Sequence, residues 1–483
     1  MKIDLNNLVE SLPKDFSEED KARAQTAFYK ALSLEAHRFY GGKIQTMPKA
    51  GLWGNAWFNV WYTPGVSAVS TAIRDNIEES YQYSNKGNSV GIVTDSTRVL
   101  GDGDCGVCGG LGVMEGKAFL MKYLAGIDAT VLCVNNRLPN GEPAAEKLID
   151  FVKMVEPSFG AINLEDISKP NCYQVLDTLR KECQIPVWHD DAQGTACVIL
   201  AGLINALKLV DKKFEDAKVV LLGAGASNTT VARFIMQGGT PPENIVVFNS
   251  SGSLHSDRSD IAADKREYPQ WELCLKTNPK KIKDIREALR GADVLIALSK
   301  PGPDTIKPEW IKEMAKKAIV FACANPVPEI YPHKAKEAGA FIVATGRGDF
   351  PNQVNNSVCF PGILKGALLA HASKITDNMA IRSAYAIAEF AEKRGISPDN
   401  IVPAMDETEV FPVEAAEVAL QAVKDGVARR DITYDEVYQK TKSDIDSVRK
   451  ALNLFMKEGV IKELPQQVIE ATLQNVIKKI RQQ

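Results

Sequence analysis

Two adjacent carboxylates, Asp190 and Asp191, stand between the β-rich segment Ile185–Trp188 and a Gly-Thr-Ala helix start at Gly194. Neighbouring carboxylates repel each other unless something positive holds them. A second acidic pair, Glu165–Asp166, ends an earlier extended segment. Three or four carboxylates meeting at strand ends make a hard, oxygen-only site suited to Mg²⁺ or Mn²⁺. Taken alone, Asp190–Asp191 reads equally well as a helix N-cap beside a surface acid. His189 precedes the pair and is assigned a structural role, because carboxylates suffice for a hard metal.

A second chemical signature is a glycine turn. Lys218–Leu222 reads as a buried strand running into Gly223, Ala224, Gly225, Ala226, Ser227 and Asn228, and then into a helix. Gly223 permits the tight turn, and Gly225 lets the backbone approach a pyrophosphate at the helix N-terminus. Two positions depart from the usual dinucleotide fingerprint. Asn228 stands where Gly or Ala normally allows close helix–strand packing. The second strand ends in Asn249-Ser250-Ser251-Gly252, where an acid normally binds the ribose 2′-hydroxyl. Without that acid a 2′-phosphate is not repelled. Asn249, Ser250, Ser251 and Ser253 offer donors, and His255 and Arg258 follow as cationic partners. The reading is a preference for NADP⁺, with NAD⁺ still admitted.

The elements around these residues point to an α/β chain. Val90–Thr94 and Ala129–Val134 read as strands, with a Gly-rich loop from Gly101 to Gly112 and a helix from Met114 to Leu124 between them. From Ala217 to about Thr345 strands and helices alternate, with strands at Lys218–Leu222, Ile245–Phe248, Val294–Leu298, Ile319–Cys323 and Phe341–Ala344. That alternation is the pattern of a doubly wound, Rossmann-like parallel sheet. Residues 1 to about 50 read as helical, with Ser17 as N-cap, and the chain beyond Gly362 is almost wholly helical. The division read from this is an N-terminal substrate and metal domain (1–192), a dinucleotide domain with return helices (193–430) and a helical extension (431–483).

Composition narrows the function class. The 45% hydrophobic and 25% charged content over 483 residues is that of an ordinary globular chain with room for two or three domains. A net charge of −3 makes no electrostatic case for nucleic acid or an anionic membrane. No apolar run reads as a bilayer span, and Met1–Asp20 lacks a signal or transit pattern. Nine scattered cysteines suit reduced thiols and a cytoplasmic location. Cys105-Gly-Val-Cys108 could be redox-active or half a zinc site, but no second pair accompanies it.

A long series of motifs runs through the chain in order: Tyr62-Thr-Pro-Gly-Val; Val93-Thr-Asp-Ser-Thr-Arg98-Val-Leu-Gly; Val113-Met-Glu-Gly-Lys117-Ala; Ile162-Asn-Leu-Glu165-Asp166-Ile; His189-Asp-Asp-Ala-Gln-Gly-Thr; Gly223-Ala-Gly; Ala324-Asn325-Pro-Val-Pro-Glu; Thr345-Gly-Arg-Gly-Asp-Phe-Pro-Asn-Gln-Val-Asn-Asn356; and Phe360-Pro-Gly. From about Ala36 to Ala428 the series resembles the malic enzyme family in its compact bacterial-like form. The resemblance implies oxidative decarboxylation of L-malate to pyruvate and CO₂, with NADP⁺ or NAD⁺ and a divalent metal. Tyr62 and Lys117 match the family's acid–base pair. Asp190 matches the acid that orients the lysine. Glu165, Asp166 and Asp191 match the metal ligands. Arg98 matches the residue that binds substrate carboxylate. Asn325 and Asn356 match substrate contacts, with Asn325 also at the cofactor. A homodimer or higher homo-oligomer is implied, and the helical tail beyond Arg430 is read as a subunit contact.

These residue types suit that chemistry. A lysine in a crowded, partly desolvated site can take the C2 hydroxyl proton as hydride leaves. A metal can polarise the C2 oxygen and then stabilise the enolate left by CO₂. A tyrosine beside the lysine can protonate C3, and arginine grips a carboxylate bidentately. Two other outcomes remain open. A malolactic enzyme would use the same scaffold but release lactate. A non-catalytic metabolite-binding protein would be marked by loss of the lysine, the tyrosine or the acids, and all are present.

Overall fold

Strands with both faces apolar need cover on both sides, and two sheets of this chain are built that way. The computed structural model describes residues 3–482. Ser89–Thr94 (β1), Asp128–Cys133 (β2), Ala161–Leu164 (β3) and Val187–His189 (β4) form a parallel sheet in the order β2-β1-β3-β4. Every residue of β1, β3 and β4 is buried. Val219–Leu222 (β5), Ile245–Asn249 (β6), Gly252–Ser253 (β7), Val294–Ala297 (β8), Ala318–Ala322 (β9) and Ala340–Thr345 (β10) form the second sheet, in the order β10-β9-β8-β5-β6-β7. All its pairings are parallel except β6 with the two-residue β7. The order reverses beside β5, and a doubly wound sheet binds its ligand outside the carboxyl end of that strand. The α/β reading and the strand positions therefore hold, with ends displaced by a residue or two.

The helix Thr195–Leu209 joins the two sheets. Every residue from Ala196 to Leu207 is buried. Apart from Gly202 and Asn205, they share one apolar cluster with Val90, Ile92 and Trp188 of the first sheet and Val219, Leu221 and Ile296 of the second. By length and composition Asp190–Leu209 is apolar enough to cross a bilayer, contrary to the sequence reading, but 83% of its apolar 18-residue window is buried inside the protein. Its hydropathy is that of a core helix.

By contacts, Lys49–Ile445 form one compact unit, which holds both sheets. The segments up to Pro48 and from Asp446 onward form the other. In this second unit the helix Glu18–Tyr40 starts at Ser17, whose hydroxyl accepts from the Asp20 N–H at 3.1 Å. It ends at Gly41, in the left-handed conformation with φ 69°. Leu8, Phe16, Phe28 and Leu32 pack against Leu473 and Val476 of the last helix, Gln466–Arg481. The aromatic stretch after Trp53, read from sequence only as leading to a turn, contains a short helix, Trp57–Trp61, and is followed by another, Val66–Asp75.

Candidate active site

Parallel strands deliver their ends to one edge of a sheet, and the acids sit there. Glu165 and Asp166 directly follow β3, and Asp190 and Asp191 directly follow β4. Asp190–Gly194 wind as a single π-helical turn before the α-helix begins, a departure from regular geometry common at functional sites. Asp166 takes a left-handed backbone conformation with φ 55°. Its N–H donates to an Asp191 carboxylate oxygen at 2.8 Å, which ties the two strand ends together. One carboxylate oxygen from each of Glu165, Asp166 and Asp191 lies within 4.8 Å of the others.

Lys117 projects from the helix Leu111–Ala125 into this cluster. Its ammonium donates to Asp190 and lies 3.1 Å from Glu165. The Phe360 ring covers it, with Nζ 4.5 Å from the ring centroid. Asn163, two residues before Glu165 on the same strand face, donates to the Glu165 carboxylate at 2.9 Å. Trp188 Nε1 donates to Asp190 at 3.3 Å. A side chain at Gly194 would collide with Asp190 and press on Asn356, so glycine there brings those two residues close.

Burial works against every charge in this cluster. It pulls the Lys117 amine down, but Asp190, Glu165 and Asp191 outweigh it and hold the lysine above its usual value. Burial raises Glu165 to about 7 and Asp190 to about 7, against the opposing pull of Lys117. Asp166 rises to about 8, through burial and then the charges of Asp191 and Glu165. His189 is pulled down to about 4 by burial and is neutral. Fully ionised, the four acids and one lysine carry −4 + 1 = −3. Asp166 also keeps a buried carboxylate oxygen with no hydrogen-bond partner. An oxygen-only set with this excess of negative charge fits a divalent hard cation, with Glu165, Asp166 and Asp191 as the residues that would hold it.

A pH dependence follows. In an unfolded chain these carboxyls lose their protons near 4. In the folded, metal-free protein Asp166 keeps its proton until about 8. Its contribution to stability is therefore full below pH ~4 and is lost as the pH rises through about 8. Asp166→Asn mimics the protonated form and tolerates the left-handed backbone. Without metal, its melting temperature should gain on wild type between pH 5 and 8.5. Mn²⁺ should erase the gain by stabilising only wild type. A difference that does not change with pH would remove this account.

The glycine turn lies beside the acids. Gly223 has φ 103°, and a side chain there would strike the Leu298 carbonyl. A Cβ on Gly225 would meet nothing within 4 Å, so the backbone is open at the position where a pyrophosphate approaches. Ala226 and Ser227 begin the helix Ala226–Gln237. The Ser227 hydroxyl donates to the Asp191 carbonyl at 2.9 Å, joining the helix after the glycine turn to the carboxylate cluster. Asn228 is fully buried and donates to the carbonyls of Leu222 at 3.1 Å and Gly223 at 2.9 Å. Its side chain braces the turn from within. Ala224 is buried in the same turn.

The remaining predicted residues divide. Arg98 is exposed, on a loop held by its own N–H donating to the Asp166 carbonyl at 3.0 Å. That loop also meets Asn325, because a side chain at Gly101 would strike the Asn325 carbonyl. Asn325 is exposed after β9, and Asn356 is half-buried. Asn249, at the end of β6, accepts from the Ser251 N–H and from Arg258, and Ser250 is exposed beside it. Tyr62 stands apart. It is 74% exposed, and among the described residues no hydrogen bond joins its hydroxyl to the acid–lysine cluster.

Sequence reasoning missed several supporting side chains. Asn163 had a signal in the two-residue strand period. Glu329 had one only in its motif. It is fully buried, and its carboxylate accepts from the N–H groups of Ser299 and Ala324, fixing the chain after β8 to the chain after β9.

The family "Malic enzyme, NAD binding domain" matches residues 192–424, and "Malic enzyme, N-terminal domain" matches residues 41–142. An NAD-dependent malic enzyme of Geobacillus stearothermophilus is 42% identical over 393 residues, covering 81% of this chain and 79% of that protein. A bifunctional malic/malolactic enzyme of Bacillus subtilis is 40% identical, covering 85% and 97%. The crystal structure of Entamoeba histolytica malic enzyme superimposes with a TM-score of 0.97 at 58% identity, covering 99% of each chain. With both domain families matched in order, and its acids, lysine and glycine turn assembled at adjoining strand ends, the chain belongs to the malic enzyme family.

Proposed function

We propose that the chain oxidatively decarboxylates L-malate to pyruvate and CO₂, with NADP⁺ or NAD⁺ as hydride acceptor and Mg²⁺ or Mn²⁺ bound by Glu165, Asp166 and Asp191. One observation carries most of the weight: Ser227 of the cofactor helix is hydrogen-bonded to Asp191 of the carboxylate cluster at 2.9 Å. Hydride acceptor and metal acids thereby share one site. Arg98 grips a malate carboxylate, and Asn325 and Asn356 orient the substrate. Lys117, steadied by Asp190, takes the C2 hydroxyl proton as hydride leaves. When bound, the divalent cation supplies Lewis-acid polarisation and offsets the carboxylate field that keeps Lys117 protonated. Tyr62 supplies the proton that C3 needs after CO₂ departs.

The exposed position of Tyr62 supports a homo-oligomer. It directly follows the helix Trp57–Trp61, where the rings of Trp53, Trp57 and Trp61 touch in turn, with Trp53 71% and Trp61 48% exposed. Contiguous apolar surface of this kind marks a contact face. In this proposal a second copy covers the face, and Tyr62 reaches the partner's Lys117. Retention in a reducing cytoplasm, where all nine cysteines stay thiols, belongs to the same proposal. NADP⁺ preference rests on the missing acid at the end of β6 and on Arg258 beside Asn249, 3.3 Å from its side-chain oxygen.

A second outcome has a specific basis, since the Bacillus subtilis relative is described as malic and malolactic. Malate supplied with Mn²⁺ and each cofactor should yield pyruvate and reduced cofactor in equal amounts. Lactate without net reduced cofactor would transfer the assignment to the malolactic reaction.

A further inference from the structure

The end of β6 carries a charge arrangement that the dinucleotide fingerprint does not explain. Gly223 N–H donates to the Phe248 carbonyl at 2.8 Å, so the next residue, Asn249, sits directly beside the glycine turn. The residue in this place faces the adenosine ribose of a bound dinucleotide. Arg258 reaches the same spot. One of its terminal nitrogens donates to Asn249 Oδ1 at 3.3 Å and to the Ser253 carbonyl at 3.0 Å. Its other two nitrogens form a bidentate pair with Asp260, at 2.7 and 2.6 Å. The Arg258 side chain is 11% exposed, whereas that of Asp260 is 59% exposed.

The guanidinium is therefore a cation held against Asn249, and the fork of Nε and one terminal nitrogen is already filled by Asp260. A planar fork takes one bidentate anion at a time. A ribose 2′-phosphate could take that fork only by displacing Asp260, and the displaced carboxylate would stay nearby and repel it. A plain 2′-hydroxyl brings no charge and meets no such competition. We infer that Asp260 is a specificity-determining residue, an internal anion that occupies Arg258 and limits how strongly the site favours a 2′-phosphate. This inference rests on the dinucleotide reading of the glycine turn.

Asp260→Asn tests it. The Asp260 side chain is more than half exposed, and the variant keeps its shape. The probes are adenosine 2′,5′-bisphosphate and 5′-AMP, titrated calorimetrically into the full-length protein without malate or metal. The variant should bind the bisphosphate about tenfold more tightly, the scale of one charge-assisted hydrogen bond, with 5′-AMP unchanged. The kcat/KM ratio of NADP⁺ to NAD⁺ should rise in parallel. Adding Arg258→Ala should cancel the gain. Unchanged or weaker bisphosphate binding in Asp260→Asn would overturn the inference, because the acid would then serve to hold Arg258 in place. A tighter bisphosphate complex in a protein that fails to turn over malate would uphold it while defeating the proposed reaction. Failure of both chains to bind either nucleotide would end both.

Discussion

Lys117→Ala is expected to lower kcat by about 10² or more, the scale of a lost general base. The lysine is buried against Asp190 and Glu165, so its removal also leaves two acids without their cation. Folding should therefore be checked by melting, and Lys117→Arg provides a charged control unable to act as a base. Tyr62→Phe should impair protonation of the three-carbon product more than hydride transfer. The two variants together test the shared site. If Tyr62 serves the partner's Lys117, randomly mixed subunits of Lys117→Ala and Tyr62→Phe recover about a quarter of wild-type activity. Half the dimers are then mixed, and half the sites in those are intact. Mixed subunits no better than either parent would return Tyr62 to its own chain. Wild-type rates for Lys117→Ala would remove its assigned role altogether.

Asp191→Ala is expected to abolish metal-supported turnover while the chain still folds. Asp191 supplies a carboxylate oxygen to the 4.8 Å cluster, and it also accepts the Asp166 N–H. Its loss takes away one of three acids and loosens the link between two strand ends. Mn²⁺ affinity measured by calorimetry should fall by at least about tenfold, as expected when a charged ligand leaves a hard-cation site. In wild type, EDTA should stop malate oxidation, and Mn²⁺ or Mg²⁺ should restore it. Full activity in a metal-stripped sample would defeat the metal assignment.

Local chemistry explains which parts of the site were legible in the sequence. Glu165–Asp166 and Asp190–Asp191 announced themselves because each pair ends an extended segment, and parallel strands bring such ends to one edge. The Gly223–Gly225 turn was legible because a strand, a turn and a helix follow one another without interruption. The Phe360 ring over Lys117 was not, since nothing local to either residue specifies a contact across so much chain. Asn228 was read as a flaw in the cofactor turn and is instead its internal brace, a role visible only once its two carbonyl partners are placed. Asp260 gave no signal because exposed acids near an arginine are commonplace, and only the filled fork makes this one specific. Tyr62 was legible by motif alone. Its exposure concerns a second chain, which one sequence does not describe.

The packing of Leu8, Phe16 and Phe28 against Leu473 and Val476 has a consequence for synthesis on the ribosome. The apolar face of the helix Glu18–Tyr40 is made before both sheets, but its partner, Gln466–Arg481, is made only after them. Until then that face is without its native cover and is open to holdase chaperones or to premature association with another nascent chain. Lys49–Ile445 holds every strand of both sheets, so the sheets can form in the meantime. A stalled chain ending before residue 466 should therefore show protease resistance in the sheets and rapid cleavage in its first forty residues.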